Sequence, residues 1–216
     1  PAGVTATVTD PATGSGTPSI TDALDGIRNT GLWFTDIIGS EYSTGNTAAA
    51  LAKIGNPNEK SGWYDSLDYR PARIWFTNRT GGSAGLTAAI AVGAANKENA
   101  TLVYLQAPSF SEEPSEIAAY SVGKTSIQAG QNPAKDYTRL TLPYLAGPQV
   151  VADDWTKEYS NRNSALVNGL ALLRLDGGIV KFGDLCTTWH PNDNHNTGFK
   201  YVVNQWKIWN MAKSIK

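Results

Sequence analysis

The feature that most constrains this 216-residue chain is a tight-turn signal joining two short apolar runs near the C-terminus. The runs occupy residues 170–175 and 179–182, and Asp176-Gly177-Gly178 stands between them. Consecutive glycines accept the positive φ angles that a two-residue hairpin turn requires. The sequence therefore predicts an antiparallel β-hairpin at this position.

The segment after the turn predicts a long second strand and then a helix. Residues 185–189, with the sequence LCTTW, contain the β-branched and aromatic types that suit a pleated surface, so we expect the second strand to extend through them. In the following helix, apolar side chains recur at spacings of three and four, at Phe199, Val202, Val203, Trp206 and Trp209. This spacing places them on one helical face, and we expect the two indoles to pack against the hairpin.

Upstream of the hairpin, strand-length apolar runs alternate with helical segments. Ser19, with Asp22 three residues later, is typical of a helix cap. The pattern predicts helices at residues 20–31, 44–54, 83–95 and 112–128. It predicts strands at residues 32–38, 72–77, 101–107 and 137–142, with an aromatic-bearing loop at 62–71.

This alternation predicts the fold class. Strands separated by helices form crossover units, which favour parallel pairing with helices covering the sheet. We therefore expect an α/β fold with a largely parallel or mixed sheet flanked by helices, ending in a β-hairpin and an aromatic-rich helix. We divide the chain into an exposed lead-in at 1–18, an α/β core at 19–150 and a helix–hairpin–helix part at 151–216.

Composition argues against several classes of partner. The 18 basic and 19 acidic residues give a net charge of −1, which provides no electrostatic footprint for nucleic acid or an anionic membrane. No apolar run approaches the roughly 20 residues of a membrane span. Cys186 is the only cysteine, so an intramolecular disulfide is impossible, and we expect this residue to be a small buried apolar side chain.

Two segments resemble nucleotide-binding loops. Residues 121–125, SVGKT, end like a phosphate-binding loop, but Ala118 occupies the position of the required first glycine and the segment lies in a predicted helix. Residues 80–85, TGGSAG, follow a strand and open a helix, as a dinucleotide-binding turn does, yet they lack the first glycine of that motif. We interpret the first segment as ordinary helix and the second as a tight turn with close helix–strand packing.

The candidates for metal binding or catalysis are few. His190, Asp193 and His195 are the one cluster with metal-ligating chemistry, but a catalytic zinc normally has three protein ligands in a rigid frame, and we favour a surface turn. The pairs Glu112-Glu113 and Asp153-Asp154 stand where helices begin, and the helix dipole accounts for them. We therefore expect no catalytic residue, no metal and no cofactor.

The C-terminal third carries a longer pattern. An Asn-Gly pair precedes the first hairpin strand, and a Thr-Thr-aromatic end precedes the aromatic-rich helix. The residues that carry the pattern are Asn168, Gly169, Leu172, Asp176, Gly178, Val180, Leu185, Thr187, Thr188 and Trp189. This arrangement resembles the conserved core of contractile-tail sheath proteins, especially those of Mu-like phages. The resemblance is close from about residue 153 onward and looser over the preceding α/β part.

The resemblance implies a structural subunit of a virion. Sheath subunits polymerise in helical rings around an inner tail tube and contract to drive it through the host envelope, with neighbouring subunits linked by exchanged strands. It implies assembly in the host cytoplasm, with neighbouring sheath subunits and the tail tube as partners. Members of the family have further sequence on both sides of this core, so we expect the chain to be a fragment that is monomeric in isolation.

Two alternatives remain open at the level of sequence. One is a small α/β enzyme or ligand-binding domain with its site at the carboxyl edge of the parallel strands. The residues that follow those predicted strands are Asn78, Arg79, Pro108, Ser109, Pro143 and Tyr144. The other is a relative of the sheath from a bacteriocin or a secretion apparatus, which sequence does not separate from a phage protein.

Overall fold

The computed structural model describes residues 19–39, 44–57, 59–65, 69–133, 135–191 and 197–215. The predicted lead-in at residues 1–18 lies outside these ranges, as do Asp193 and His195.

A five-stranded sheet forms the centre of the molecule, and its spatial order follows the sequence. The strands are β1 (Asp36–Ile38), β2 (Arg73–Asn78), β3 (Leu102–Gln106), β4 (Ala171–Asp176) and β5 (Ile179–Phe182). Strands β1 to β4 pair in parallel, whereas β5 runs antiparallel to β4. The predicted α/β fold with a mixed, mostly parallel sheet is confirmed.

Helices connect the parallel strands. The described residues form α1 (Ile20–Asn29), α2 (Thr44–Ile54), α3 (Gly82–Ala95), α4 (Pro114–Gln131), α5 (Tyr159–Val167), α6 (Thr197–Lys200) and α7 (Val202–Ile215). Short 3-10 helices occupy Gly62–Tyr64 and Trp155–Lys157. Ser19 caps α1 as predicted, because its side chain accepts a 3.2 Å hydrogen bond from the backbone N–H of Asp22.

The sheet is buried on both faces. Alternate residues of β2 point to opposite sides, so Ile74 and Phe76 join one hydrophobic cluster while Trp75 joins the other. Helices α1, α2, α3 and α5 contribute to the first cluster, and α4 contributes to the second. Burial on both faces explains why the central strands read as continuous apolar runs.

The C-terminal hairpin forms as predicted. Gly177 and Gly178 have φ angles of +60° and +77°, and Asp176 pairs with Ile179 across the turn. Positive φ at both central residues is the geometry that matches the twist of the flanking strands.

The second hairpin strand is shorter than predicted. Strand β5 ends at Phe182, because Gly183 and Asp184 both bond to Leu172: the Gly183 N–H donates to the Leu172 carbonyl and the Leu172 N–H donates to the Asp184 carbonyl. Two residues opposite one form a β-bulge, which bends the chain away from the ladder. Residues 185–189 are buried, but they cross the amino ends of the strands, where the Thr188 N–H donates to the carbonyl of Leu102.

Two other predicted strands are wrong in whole or in part. Of residues 32–38, only Asp36–Ile38 pairs with β2, and Leu32 is 63% exposed. Residues 137–142 run beside β5 and form backbone hydrogen bonds with Val180 and Phe182, but their pairing amounts to an isolated bridge from Thr141 to Lys181 and not to a regular strand. The reason is Arg139, whose φ of +68° lies in the left-handed region and interrupts a regular ladder.

The single aromatic helix predicted after the hairpin is divided into α6 and α7. Tyr201 separates them, because its backbone forms an isolated bridge with Cys186. Trp209 is buried as predicted, at 2% exposure, while Trp206 is only half-buried.

The hairpin turn yields a test of backbone strain alone. A Cβ added at Gly178 or at Gly123 would have no heavy atom within 4 Å, but only Gly178 has a positive φ. We expect Gly178→Ala to lower the free energy of unfolding by about 1 kcal/mol. The matched variant Gly123→Ala, inside α4, should raise it by roughly 0.5–1 kcal/mol. Chemical denaturation measures both, and effects of equal sign would contradict the turn geometry.

Candidate functional site

The carboxyl edge of the parallel strands is where an enzyme of this fold would bind its ligand. Here the polar side chains at that edge bind other parts of the chain. The Asn78 side chain donates to Gln106 Oε1 at 2.9 Å and accepts from the Thr80 N–H at 3.1 Å. Arg79 donates to the Glu112 carbonyl at 2.9 Å. These groups hold the edge loops together and do not converge on an open site.

Ser109, at the same edge, has a strained backbone with a φ of +65°. Its Oγ accepts a 3.3 Å hydrogen bond from the Val150 N–H. His190 lies at the opposite end of β3, where its N–H donates to the Lys97 carbonyl. A serine nucleophile needs a histidine base within hydrogen-bonding reach, so these two residues do not form a catalytic pair.

The remaining candidates at this edge are Pro108, Pro143 and Tyr144. Pro108 is buried, while Pro143 is exposed. Tyr144 is 84% exposed, and its ring meets that of Tyr120 edge-on at 5.5 Å. The ring contact accounts for the position of Tyr144.

The turn at residues 80–85 forms a close helix–strand junction, as predicted. The Gly82 N–H donates to the carbonyl of Asp153 at 2.8 Å, so the chain itself occupies the start of α3. A Cβ at Gly85 would lie 2.3 Å from the Thr80 carbonyl oxygen, which only glycine permits.

The other sequence candidates also have structural roles. Residues 121–125 lie within α4, where Thr125 Oγ1 donates to the Ser121 carbonyl at 3.1 Å. Glu113 precedes α4, and its N–H donates to the Glu116 carboxylate at 3.3 Å. Asp154 accepts from the Thr156 N–H at 3.0 Å at the start of a 3-10 helix. The prediction that these carboxylates mark helix starts is confirmed.

Of the three residues considered as metal ligands, only His190 lies within the described ranges. Nδ1 of His190 lies 2.7 Å from the Thr188 carbonyl oxygen, and burial lowers the pKa of this ring. Within the described ranges, no three His, Cys, Asp or Glu side chains are grouped as metal ligands would be. Among these same residues, no helix has the length and apolar character of a membrane span.

A buried polar cluster lies at the amino edge of the sheet. We call it the buried arginine centre, and it consists of Arg73, Asp36, Trp75, Gln205 and Trp209. Arg73 opens β2 and Asp36 opens β1, and the two residues are register partners. The Arg73 guanidinium donates to both carboxylate oxygens of Asp36, at 2.9 and 3.1 Å. The Trp75 indole N–H donates to Asp36 at 2.7 Å. The side chains of this ion pair are 0% and 4% exposed.

The same centre fixes the last helix to the sheet. Arg73 Nη1 donates to the Val202 carbonyl at 3.0 Å, and its guanidinium carbon lies 4.6 Å from the ring centroid of Trp209. Gln205 donates through its amide to the carbonyls of Ala100 at 2.7 Å and Phe199 at 2.8 Å. The Arg73 side chain therefore joins β1, β2 and α7.

Sequence reasoning missed this centre. The local signal was a charged residue at the start of the apolar run that becomes β2. Its partner stands 37 residues earlier, and Gln205 stands 132 residues later, so neither contact has a local signature.

Comparisons with known proteins give a fold relationship. No protein-family model matches the chain, and no curated protein sequence matches it. Among solved structures, it is similar to the sheath tail protein of Desulfitobacterium hafniense, with 13% sequence identity and a TM-score of 0.60. The match covers 93% of this chain but 43% of that protein, so the chain spans less than half the neighbour's length. The likeness shows a tail-sheath-like fold.

The buried arginine centre predicts a large stability loss when one partner is removed. Arg73→Met leaves the Asp36 carboxylate buried without its counter-charge, and we expect a loss of roughly 3–5 kcal/mol in the free energy of unfolding. Lys53 pairs with Asp25 at 2.6 Å on the surface, and Lys53→Met should cost less than about 1 kcal/mol. Guanidinium denaturation compares the two variants. Similar losses would contradict the special role of the buried pair.

The single thiol provides a second prediction. Cys186 is fully buried, and burial raises its pKa to about 12. Since the thiolate is the reactive form, a disulfide reagent at pH 8 should leave the folded protein unmodified. The same reagent should modify one thiol per chain after unfolding in guanidinium. Rapid reaction with the folded protein would show that Cys186 is accessible.

Proposed function

We propose that this chain is the α/β core of a contractile tail sheath subunit of the Mu-like type. In this role the complete subunit polymerises around an inner tail tube and contracts to drive that tube through the host envelope. The observation that carries the proposal is the fold likeness to a sheath tail protein over 93% of the chain. The pattern of residues from Asn168 to Trp189 supports the same assignment.

The internal architecture suits a subunit that moves as a rigid body. Contraction rearranges subunits relative to one another, so each subunit has to transmit force without losing its own packing. The buried arginine centre ties β1, β2 and α7 together through charge-assisted hydrogen bonds, which are the stronger class. Both faces of the sheet are covered by helices, which further restricts internal movement.

The proposal assigns no catalytic role. The polar groups described at the carboxyl edge bind neighbouring backbone or one another, and this supports a structural function over the alternative of a small α/β enzyme. The energy of contraction would reside in the geometry of assembly. The subunit would need no cofactor, nucleic acid or membrane, and it would occupy the tail sheath of a virion after assembly in the host cytoplasm.

Electron microscopy of the complete gene product, expressed together with its tube protein, tests the proposal. We expect hollow helical sleeves of regular repeat around the tube. The isolated 216-residue chain should be monomeric by light scattering, because neighbouring subunits of the sheath family are linked by segments outside this core.

Dispersed monomers of the complete gene product in the presence of assembled tube would contradict the proposal. Sleeves formed by the isolated chain would instead contradict the assignment of the linking contacts to other segments.

A further inference from the structure

A cleft of about 330 Å³ lies between helix α5 and strand β4, outside every site considered above. Three arginines from three separate elements line it: Arg139 from the turn beside β5, Arg162 from α5 and Arg174 from β4. Leu166 and Leu172 contribute apolar surface. We call this site the arginine cleft.

The backbone fixes the approach of Arg139 to the cleft. Its φ is +68°, in the left-handed region that non-glycine residues rarely adopt. The Arg139 N–H donates to the Phe182 carbonyl at 3.0 Å, which holds the turn against β5. A fixed turn presents the side chain with less conformational freedom than a mobile loop would allow.

The other two arginines, Arg162 and Arg174, each have contacts within the chain. Arg162 Nη1 donates to the Thr156 and Lys157 carbonyls, at 2.8 and 2.6 Å, so this residue also supports the chain before α5. Arg174 lies 3.6 Å from Asp176, yet its Nε is buried and has no hydrogen-bond partner among the described residues. An unmatched buried donor of this kind costs free energy unless a ligand accepts from it.

The charge balance of the cleft is positive. Its lining holds three guanidinium groups and one carboxylate, that of Asp184. Asp176 lies nearby, but its carboxylate also pairs with Lys181 at 3.0 Å. The charge of Asp176 is therefore shared with Lys181 and does not fully offset the charge of the arginines. The pKa of Asp176 is lowered by its hydrogen bond to Lys181 and by the charges of Lys181, Arg174 and Arg139, as expected in a positive field.

We propose that the arginine cleft binds an acidic segment of a partner polypeptide, with the guanidinium groups donating hydrogen bonds to its carboxylates. Guanidinium forks match carboxylates in a bidentate manner. The volume exceeds that of a single small anion, and the leucines and the 75%-exposed Tyr159 ring favour a ligand that also carries apolar side chains. The inference goes beyond the sheath assignment, because it rests on the charge and shape of the cleft.

Fluorescence anisotropy with two labelled peptides tests this site. The acidic probe is Glu-Glu-Leu-Glu-Glu and the neutral control is Gln-Gln-Leu-Gln-Gln. We expect the intact 216-residue chain to bind the acidic probe at low salt and to bind it more weakly as salt screens the charges. We expect no binding of the neutral peptide.

Charge-removing variants locate the binding. Arg139→Gln and Arg174→Gln should each weaken the acidic probe about tenfold, as loss of one charge-assisted contact predicts. Lys124→Gln removes the same charge from α4, outside the cleft, and should change affinity less than about twofold. Thermal melting checks that each variant is folded. If Arg174→Gln fails to fold, the affinity of Arg139→Gln for the acidic probe tests the proposal by itself.

Four results would overturn the proposal. The first three are failure of the acidic probe to bind, equal weakening by Lys124→Gln, and equal binding of the neutral peptide. The fourth comes from a competition experiment with inorganic pyrophosphate. If it displaces the acidic probe with equal or higher affinity, the cleft is a small-anion site and the polypeptide assignment is wrong.

Discussion

The ion pair between Arg73 and Asp36 is the interaction on which the arrangement of this molecule most depends. Burial of two charges costs several kcal/mol per ion unless geometry and additional hydrogen bonds compensate. Here the carboxylate accepts from the guanidinium and from the Trp75 indole, while the guanidinium also donates to α7. The edge strand β1, with only three residues, gains from this pair an anchorage that its short ladder does not provide.

The ion pair also explains why the last helix lies where it does. Helix α7 begins at Val202, whose carbonyl accepts from Arg73, and Gln205 on the next turn reaches Ala100 just before β3. Trp209 then covers the guanidinium face. An aromatic ring over a desolvated cation contributes on the order of 2 kcal/mol, so the aromatic-rich helix is held by charge as well as by apolar contact.

Local features of the sequence predicted most of the secondary structure. Helix α2 has the bounds predicted for it, and the hairpin follows from two adjacent glycines, because capping and turn chemistry act within a few residues. The failures involve distant partners. Residues 137–142 depend on β5 and on the left-handed Arg139, and residues 185–189 leave the sheet because of a bulge against Leu172. The buried arginine centre was missed for the same reason, since its parts are far apart in sequence.

The two edges of the sheet have different physical characters, and this difference constrains what the molecule can do. At the carboxyl edge, Asn78, Arg79 and Ser109 hold loops through hydrogen bonds, and the charge of Arg79 is partly exposed and lies 3.7 Å from Glu113. At the amino edge, a fully buried charge joins elements from the beginning and the end of the described chain. Removal of α7 would therefore expose a charge cluster that has been desolvated, which makes separation of the helix from the sheet costly. The buried arginine centre therefore restricts movement of β1, β2 and α7 relative to one another, and the arginine cleft lies outside it.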